Sequence, residues 1–153
     1  NELLMRLLAR DDPHPVLFDA YSSTVELLAT QGPETTQLAL RAFELLLLRD
    51  IGFLPALDMQ TANLQPVQPA QRYTLVIEGG LRLAHADDRA ALSGAQWLAL
   101  HAALSDAAPL TALLTVCAEL PGDIKLILRN LLGYHCGGNG LKTRQLMMAL
   151  QNL

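Results

Sequence analysis

Two cysteines among 153 residues, Cys117 and Cys136, are too few to build a disulfide framework. With no secretory segment in view, they read as reduced, buried thiols of a cytoplasmic protein. Positive charge is also scarce. Eleven Lys and Arg stand against fifteen Asp and Glu, a net charge of −4. A nucleic-acid-binding domain ordinarily carries an excess of cations to neutralise phosphates, so the domain as a whole is expected to bind nucleic acid poorly, although a local basic patch remains compatible with this balance. No apolar run approaches the roughly 18–20 residues of a membrane span, and the run Leu45 to Leu48 belongs to an amphipathic helix. The first residue is Asn1, not Met, and Asn1-Glu2-Leu3-Leu4 already has helical character. The expectation is therefore a piece of a longer chain whose N-terminal part precedes this sequence.

Apolar residues make up 51% of the chain. Leu and Ala dominate them, which favours packed helices over strands. The length suits one compact domain, 1–153, able to fold without disulfide or metal. Helical patterns cover residues 2–9, then Val16 to Ala29 behind Pro15, then Pro33 to Ile51, where Gly52 supplies the terminating glycine. Residues 54–72 change character, with Pro55, Pro66 and Pro69 among Gln and Asn, and read as a long connection. Tyr73 to Ile77 is β-prone, Glu78-Gly79-Gly80 is a turn, and Leu81 to Leu83 returns as the second strand of a small hairpin. Helices resume behind Ser93-Gly94-Ala95-Gln96, which has capping-box spacing. Further helices start at Pro109, run from Ile124 to Tyr134 or His135, and close the chain at Lys142 to Leu150. The expected fold class is all-α: a bundle of about six to seven helices with a small β-hairpin insertion.

Spacing speaks against several chemistries. Gly137-Gly138-Asn139-Gly140-Leu141-Lys142-Thr143 lacks the Gly directly before Lys that a phosphate loop requires, and a helix rather than a strand leads into it. It reads as a helix–helix turn in which glycines supply positive φ. The histidines at 14, 85, 101 and 135 are scattered, and no Cys-x-x-Cys or His-x-x-x-His brings metal ligands together. No Gly-x-Ser-x-Gly elbow is present. The carboxylate pairs Asp11-Asp12 and Asp87-Asp88 read as solvated turn ends or helix caps. No cofactor, metal or catalytic residue is expected.

The helix from Pro33 to Ile51 is the most informative segment. Ala39, Ala42, Phe43, Leu46, Leu47 and Ile51 fall on one broad side, an ordinary core face. Arg41, Glu44, Leu45, Leu48 and Arg49 fall on the other, with Arg41, Leu45 and Leu48 at i, i+4, i+7 spacing. Adjacent leucines with an arginine at either end suit a groove that receives an apolar side chain while the arginines hold a carboxylate. The alternative is that Leu45 and Leu48 pack against another helix of the same bundle.

Four stretches together resemble the RecO family of bacterial recombination mediators. Asn1 to Leu8 looks like that family's first helix after its N-terminal barrel, and His14-Pro15-Val16-Leu17-Phe18-Asp19-Ala20-Tyr21 is similar to the helix that follows. Leu40-Arg41-Ala42-Phe43-Glu44-Leu45, ending at Asp50-Ile51-Gly52-Phe53, resembles its Leu-Arg-x-Phe-Glu helix and Leu-Gly-Tyr stop. Leu128 to Leu132 and Leu141-Lys142-Thr143-Arg144-Gln145-Leu146 resemble its closing Leu-Lys-Ser-Arg-x-Leu segment. The matches span almost the whole chain in order. The resemblance implies a non-enzymatic role in recombinational repair: annealing strands, working with RecR to load RecA, and binding the acidic, Phe-ended tail of single-stranded-DNA-binding protein. It implies that DNA is met mainly through the N-terminal barrel, which is not in this sequence. By motif it maps a tail-binding arginine onto Arg41, with Leu45 beside it. Leu48 and Arg49 join them on the helical wheel alone. Some members hold a four-cysteine zinc finger where residues 54–92 here contain no cysteine, so the chain resembles the zinc-free branch with the hairpin in the finger's place. Arg129, Lys142 and Arg144 form a locally basic set that could touch DNA or RecR, or could simply be solvated cations near helix ends. Two rivals stand beside this reading: a generic helical scaffold or dimerisation domain with Leu45 and Leu48 in its core, and a nucleotide-dependent enzyme using the Gly137–Thr143 loop.

Overall fold

The computed structural model describes residues 14–135. Helix α1 (Pro15–Thr30) and helix α2 (Pro33–Asp50) form an antiparallel pair broken at Gln31-Gly32. Each carries a proline in its first turn, where the missing N–H has no intrahelical acceptor to lose. Strands β1 (Arg72–Val76) and β2 (Gly80–Leu83) pair antiparallel, Tyr73 opposite Leu83 and Val76 opposite Gly80. A third strand, β3 (Leu92–Ser93), pairs antiparallel with the other edge of β1, giving the order β2-β1-β3. Helices α3 (Gly94–Leu104), α4 (Pro109–Ala118) and α5 (Asp123–His135) follow.

The architecture corrects the expected fold class of six to seven helices with a hairpin. Among the described residues there are five helices and a three-stranded sheet, so the domain is mostly helical with a small sheet rather than all-α. The helices expected at 2–9 and 142–150 lie outside the described residues. The third strand was missed for a physical reason. Two residues are too few to show a period, and the pairing of Leu92 with Tyr73 is made across nineteen positions of chain.

Residues 54–71 are ordered by contacts rather than by regular structure. Met59 and Pro66 form an isolated bridge, and Val67 N–H donates to the Asp58 carbonyl at 2.9 Å. Leu57 and Val67 are buried plugs that fasten the connection to the core. Thr61 pins it to β2: its N–H donates to the Leu81 carbonyl and its Oγ1 accepts from Leu81 N–H, both at 2.9 Å. Gly80, with φ +69°, sits under that threonine, and a Cβ there would lie 2.1 Å from Thr61 Oγ1. Gly94 is under similar constraint, since a Cβ would lie 1.9 Å from the Gln68 carbonyl oxygen. Only glycine lets α3 start so close to the connection.

Trp97 joins the helical and sheet parts. Its ring is fully buried, and Nε1 donates to the Tyr73 carbonyl at 3.0 Å, so a large apolar side chain enters the core without an orphaned donor. The capping box expected from Ser93 and Gln96 is formed, with both reciprocal bonds present. The N-terminus of α3 is thereby fixed directly after β3. At the far end of α5, Tyr134 donates to Glu78 at 3.1 Å, and His135 stacks on Phe53 with centroids 3.8 Å apart.

The loop after β2 is held by an ion pair. Arg82 donates to both carboxylate oxygens of Asp88 at 2.8 Å, and the His85 N–H adds a bond of 2.6 Å. These bonds, the Arg82 one foremost, pull the Asp88 carboxyl down to about 2. The folded state favours the ionised form. The loop's gain from Asp88 is therefore complete above the ordinary aspartate pKa near 3.9, declines as the pH falls below it, and is gone once the pH passes below the folded value. Carbon-detected NMR titration should place the Asp88 midpoint near 2, and Arg82→Ala should move it up towards the ordinary value. A midpoint unchanged by Arg82→Ala would assign the shift to the His85 N–H instead.

Candidate partner-binding site on the central helix

From Ala39 to Leu48, α2 is buried at every position but Leu40, which is half-buried. The cause is its place in the fold: α1, α4 and α5 all pack against it. Its two apparent faces are both interior. Leu45 and Leu48 are 0% exposed, and neither offers surface to a ligand in this structure. Arg41 is 8% and Glu44 9% exposed. One helical turn apart, they pair directly, Arg41 Nη1 donating to Glu44 Oε2. Each charge is thus taken out of water beside its opposite, the condition under which burial of both is tolerable.

Cys117 on α4 reports on that pair. Burial pushes its thiol up to about 11, with Arg41 pulling it down and Glu44 pushing it up by smaller amounts. A thiol so raised holds almost no thiolate at neutral pH and is chemically inert. This agrees with the buried, reduced cysteine expected at 117; Cys136 lies outside the described residues.

Arg49, in the last turn of α2, serves a different neighbour. Its Nη1 donates to the carbonyl of Leu104, the last residue of α3. A helix leaves its final carbonyls without intrahelical donors, and a guanidinium there satisfies one of them and opposes the negative end of the dipole. The four α2 residues singled out by sequence therefore have different immediate neighbours. Arg41 faces Glu44, Arg49 caps α3, and the two leucines fill the core.

Arg129 is exposed on α5, while Lys142 and Arg144 lie outside the described residues. Lys125, absent from the basic set expected by sequence, is exposed one turn before Arg129. Its signal was the i, i+4 spacing of two cations on one helix. Among the described residues, no group of three or more His, Cys, Asp or Glu could hold a metal ion, and no helix is long and apolar enough to cross a membrane.

Residues 1–145 match the family model described as recombination protein O C terminal. The chain belongs to the RecO C-terminal family. It is similar to proteins named DNA repair protein RecO from Polaromonas naphthalenivorans, at 62% identity, and from Polaromonas sp. strain JS666, at 63%, each aligned over the whole of this chain and 61% of the relative. A third RecO, from Albidiferax ferrireducens, is 57% identical with the same coverage. The chain thus spans about 61% of the length of these relatives.

The different partners of the two arginines lead to different costs. Arg41→Ala deprives a nearly buried carboxylate of one guanidinium and should destabilise the domain by about 2–3 kcal/mol. Arg49→Ala exposes one helix-end carbonyl, which water can partly reach, and should cost about 1 kcal/mol. Urea unfolding midpoints separate the two, and equal losses would mean that the Arg41–Glu44 pair adds nothing to stability beyond an ordinary helix-end bond.

Proposed function

We propose that this chain is the helical, protein-interaction domain of a recombination mediator. It carries no catalytic group of its own and works in the cytoplasm on single-stranded DNA intermediates of repair. The observation that carries the reading is family membership over residues 1–145, with relatives above 60% identity that are named DNA repair proteins. Strand annealing needs charge neutralisation and proximity rather than bond chemistry.

Within that role we assign to the arginines of α2 the acidic, Phe-ended tail of single-stranded-DNA-binding protein. Arg41 already holds one carboxylate, that of Glu44, and a tail carboxylate would exchange for it. Arg49 lies two turns along the same helix, partly exposed. Leu45 and Leu48 would act by holding the helix rigid rather than by touching the tail. RecR and DNA are assigned to the cations of α5, Lys125 and Arg129, together with Lys142 and Arg144. The scaffold reading is favoured by one observation, the complete burial of Leu45 and Leu48. It predicts no affinity for the tail.

Calorimetric titration of the protein with a Phe-ended acidic peptide decides between them. The mediator reading expects micromolar affinity, on the order of −8 kcal/mol, weakened about tenfold by Arg49→Ala, whose fold is retained. No binding by the folded wild type leaves the scaffold reading. For DNA, Lys125→Ala with Arg129→Ala should lower both the affinity and its slope against salt, the slope falling by about one for each phosphate that is no longer neutralised. An unchanged slope removes α5 from the DNA surface.

A further inference from the structure

Between α1 and α4, on the outer side of α2, lies an open groove of about 550 Å³. Leu27 of α1, Leu46 of α2, and Leu110 and Leu114 of α4 supply its apolar surface, while Asp19 and Glu26 bring carboxylates to the α1 wall. The two walls are electrostatically one-sided. Asp19 and Glu26 are the only charged residues of α1, and α4 has none. No Lys, Arg or His is among the described residues that line the groove. Both carboxylate side chains belong to exposed residues. They are seven positions apart, so they share one face of α1, two turns or about 10 Å from each other.

We infer that this groove is the docking site of a cationic amphipathic helix of a partner protein, one that lays an apolar ridge over Leu46 between α1 and α4 and sets Lys or Arg side chains, seven residues apart, against Asp19 and Glu26. The chemistry follows from complementarity. A helix seated in the groove buries apolar area of the α1 and α4 walls, with the already buried Leu46 as the floor, and only cations at the matching two-turn interval meet both carboxylates. Like charges there would repel, which gives the surface its selectivity. An acidic peptide is therefore refused by this groove. The surface is independent of the tail-binding assignment on Arg41 and Arg49, and one can fail without the other.

The probe is a fluorescein-labelled helical peptide with leucines at i, i+4 and i+7 and lysines seven residues apart, read by anisotropy against the purified protein. A second peptide carries glutamates at the lysine positions. The lysine peptide should bind and be released by high salt, and the glutamate peptide should not bind. The double substitution Asp19→Lys, Glu26→Lys lies on exposed positions and leaves the fold intact by circular dichroism. It should weaken the lysine peptide by roughly tenfold or more, since two ion pairs become two repulsions, and should admit the glutamate peptide. Leu114→Ser should weaken the lysine peptide on both backgrounds. Equal binding of the two peptides by the wild type would overturn the inference. So would binding indifferent to both sets of substitutions, or a self-associated protein that Leu114→Ser converts to monomer, because the occupant would then be a second copy. Affinity for the Phe-ended acidic peptide should be the same in the wild type and Leu114→Ser.

Discussion

The burial of α2 on every side is the constraint on which the rest depends. A helix that presents apolar residues all round its circumference needs neighbours all round it, and α1, α4 and α5 supply them. Its polar intruders must then be dealt with inside the protein. Arg41 and Glu44 do so by meeting each other, and Arg49 by reaching the carbonyl end of α3. Removing α2 would leave α1 and α4 without a common surface and the sheet without its support through α5.

The sheet is tied to this bundle by few but directional bonds. Trp97 spans from α3 to the carbonyl of Tyr73, Thr61 anchors the long connection on β2, and Tyr134 reaches the hairpin turn. Close packing at Gly80 and Gly94 leaves no room for a Cβ. Residues 54–92 are thus an integral layer. A cysteine-free segment holds its shape there by backbone bonds, the Arg82–Asp88 ion pair and buried apolar side chains, Leu57 and Val67 in the connection and Tyr73, Leu81 and Leu92 in the sheet.

Charge is unevenly shared among the described helices. The exposed cations of the described α5, Lys125 and Arg129, stand apart from the carboxylates Asp19 and Glu26 on α1. On the two proposals above, a domain of net charge −4 would offer one face to polyanions and another to a cationic helix. The average charge describes neither face.

Helix positions were legible because their signals are local: Pro15, Pro33 and Pro109 at first turns, the Ser93–Gln96 box, and Gly52 after α2. The ordered motifs were equally legible, Leu40 to Leu45 and Asp50 to Phe53 among them, and they led to the family. The stripe Arg41–Leu45–Leu48 was legible as a stripe and illegible as to what it faced. A helical wheel gives the angle of a side chain about its own axis, and says nothing of how many neighbours the helix has. Those neighbours come from chain segments tens of residues away, so whether Leu45 meets solvent, ligand or core is decided only when α4 and α5 close around it. For the same reason β3 and the acidic groove of α1 and α4 belong to tertiary structure. By itself the sequence determined local conformation and kinship, because both are written in short-range pattern, whereas burial and the grouping of charges into surfaces arise only from packing at a distance.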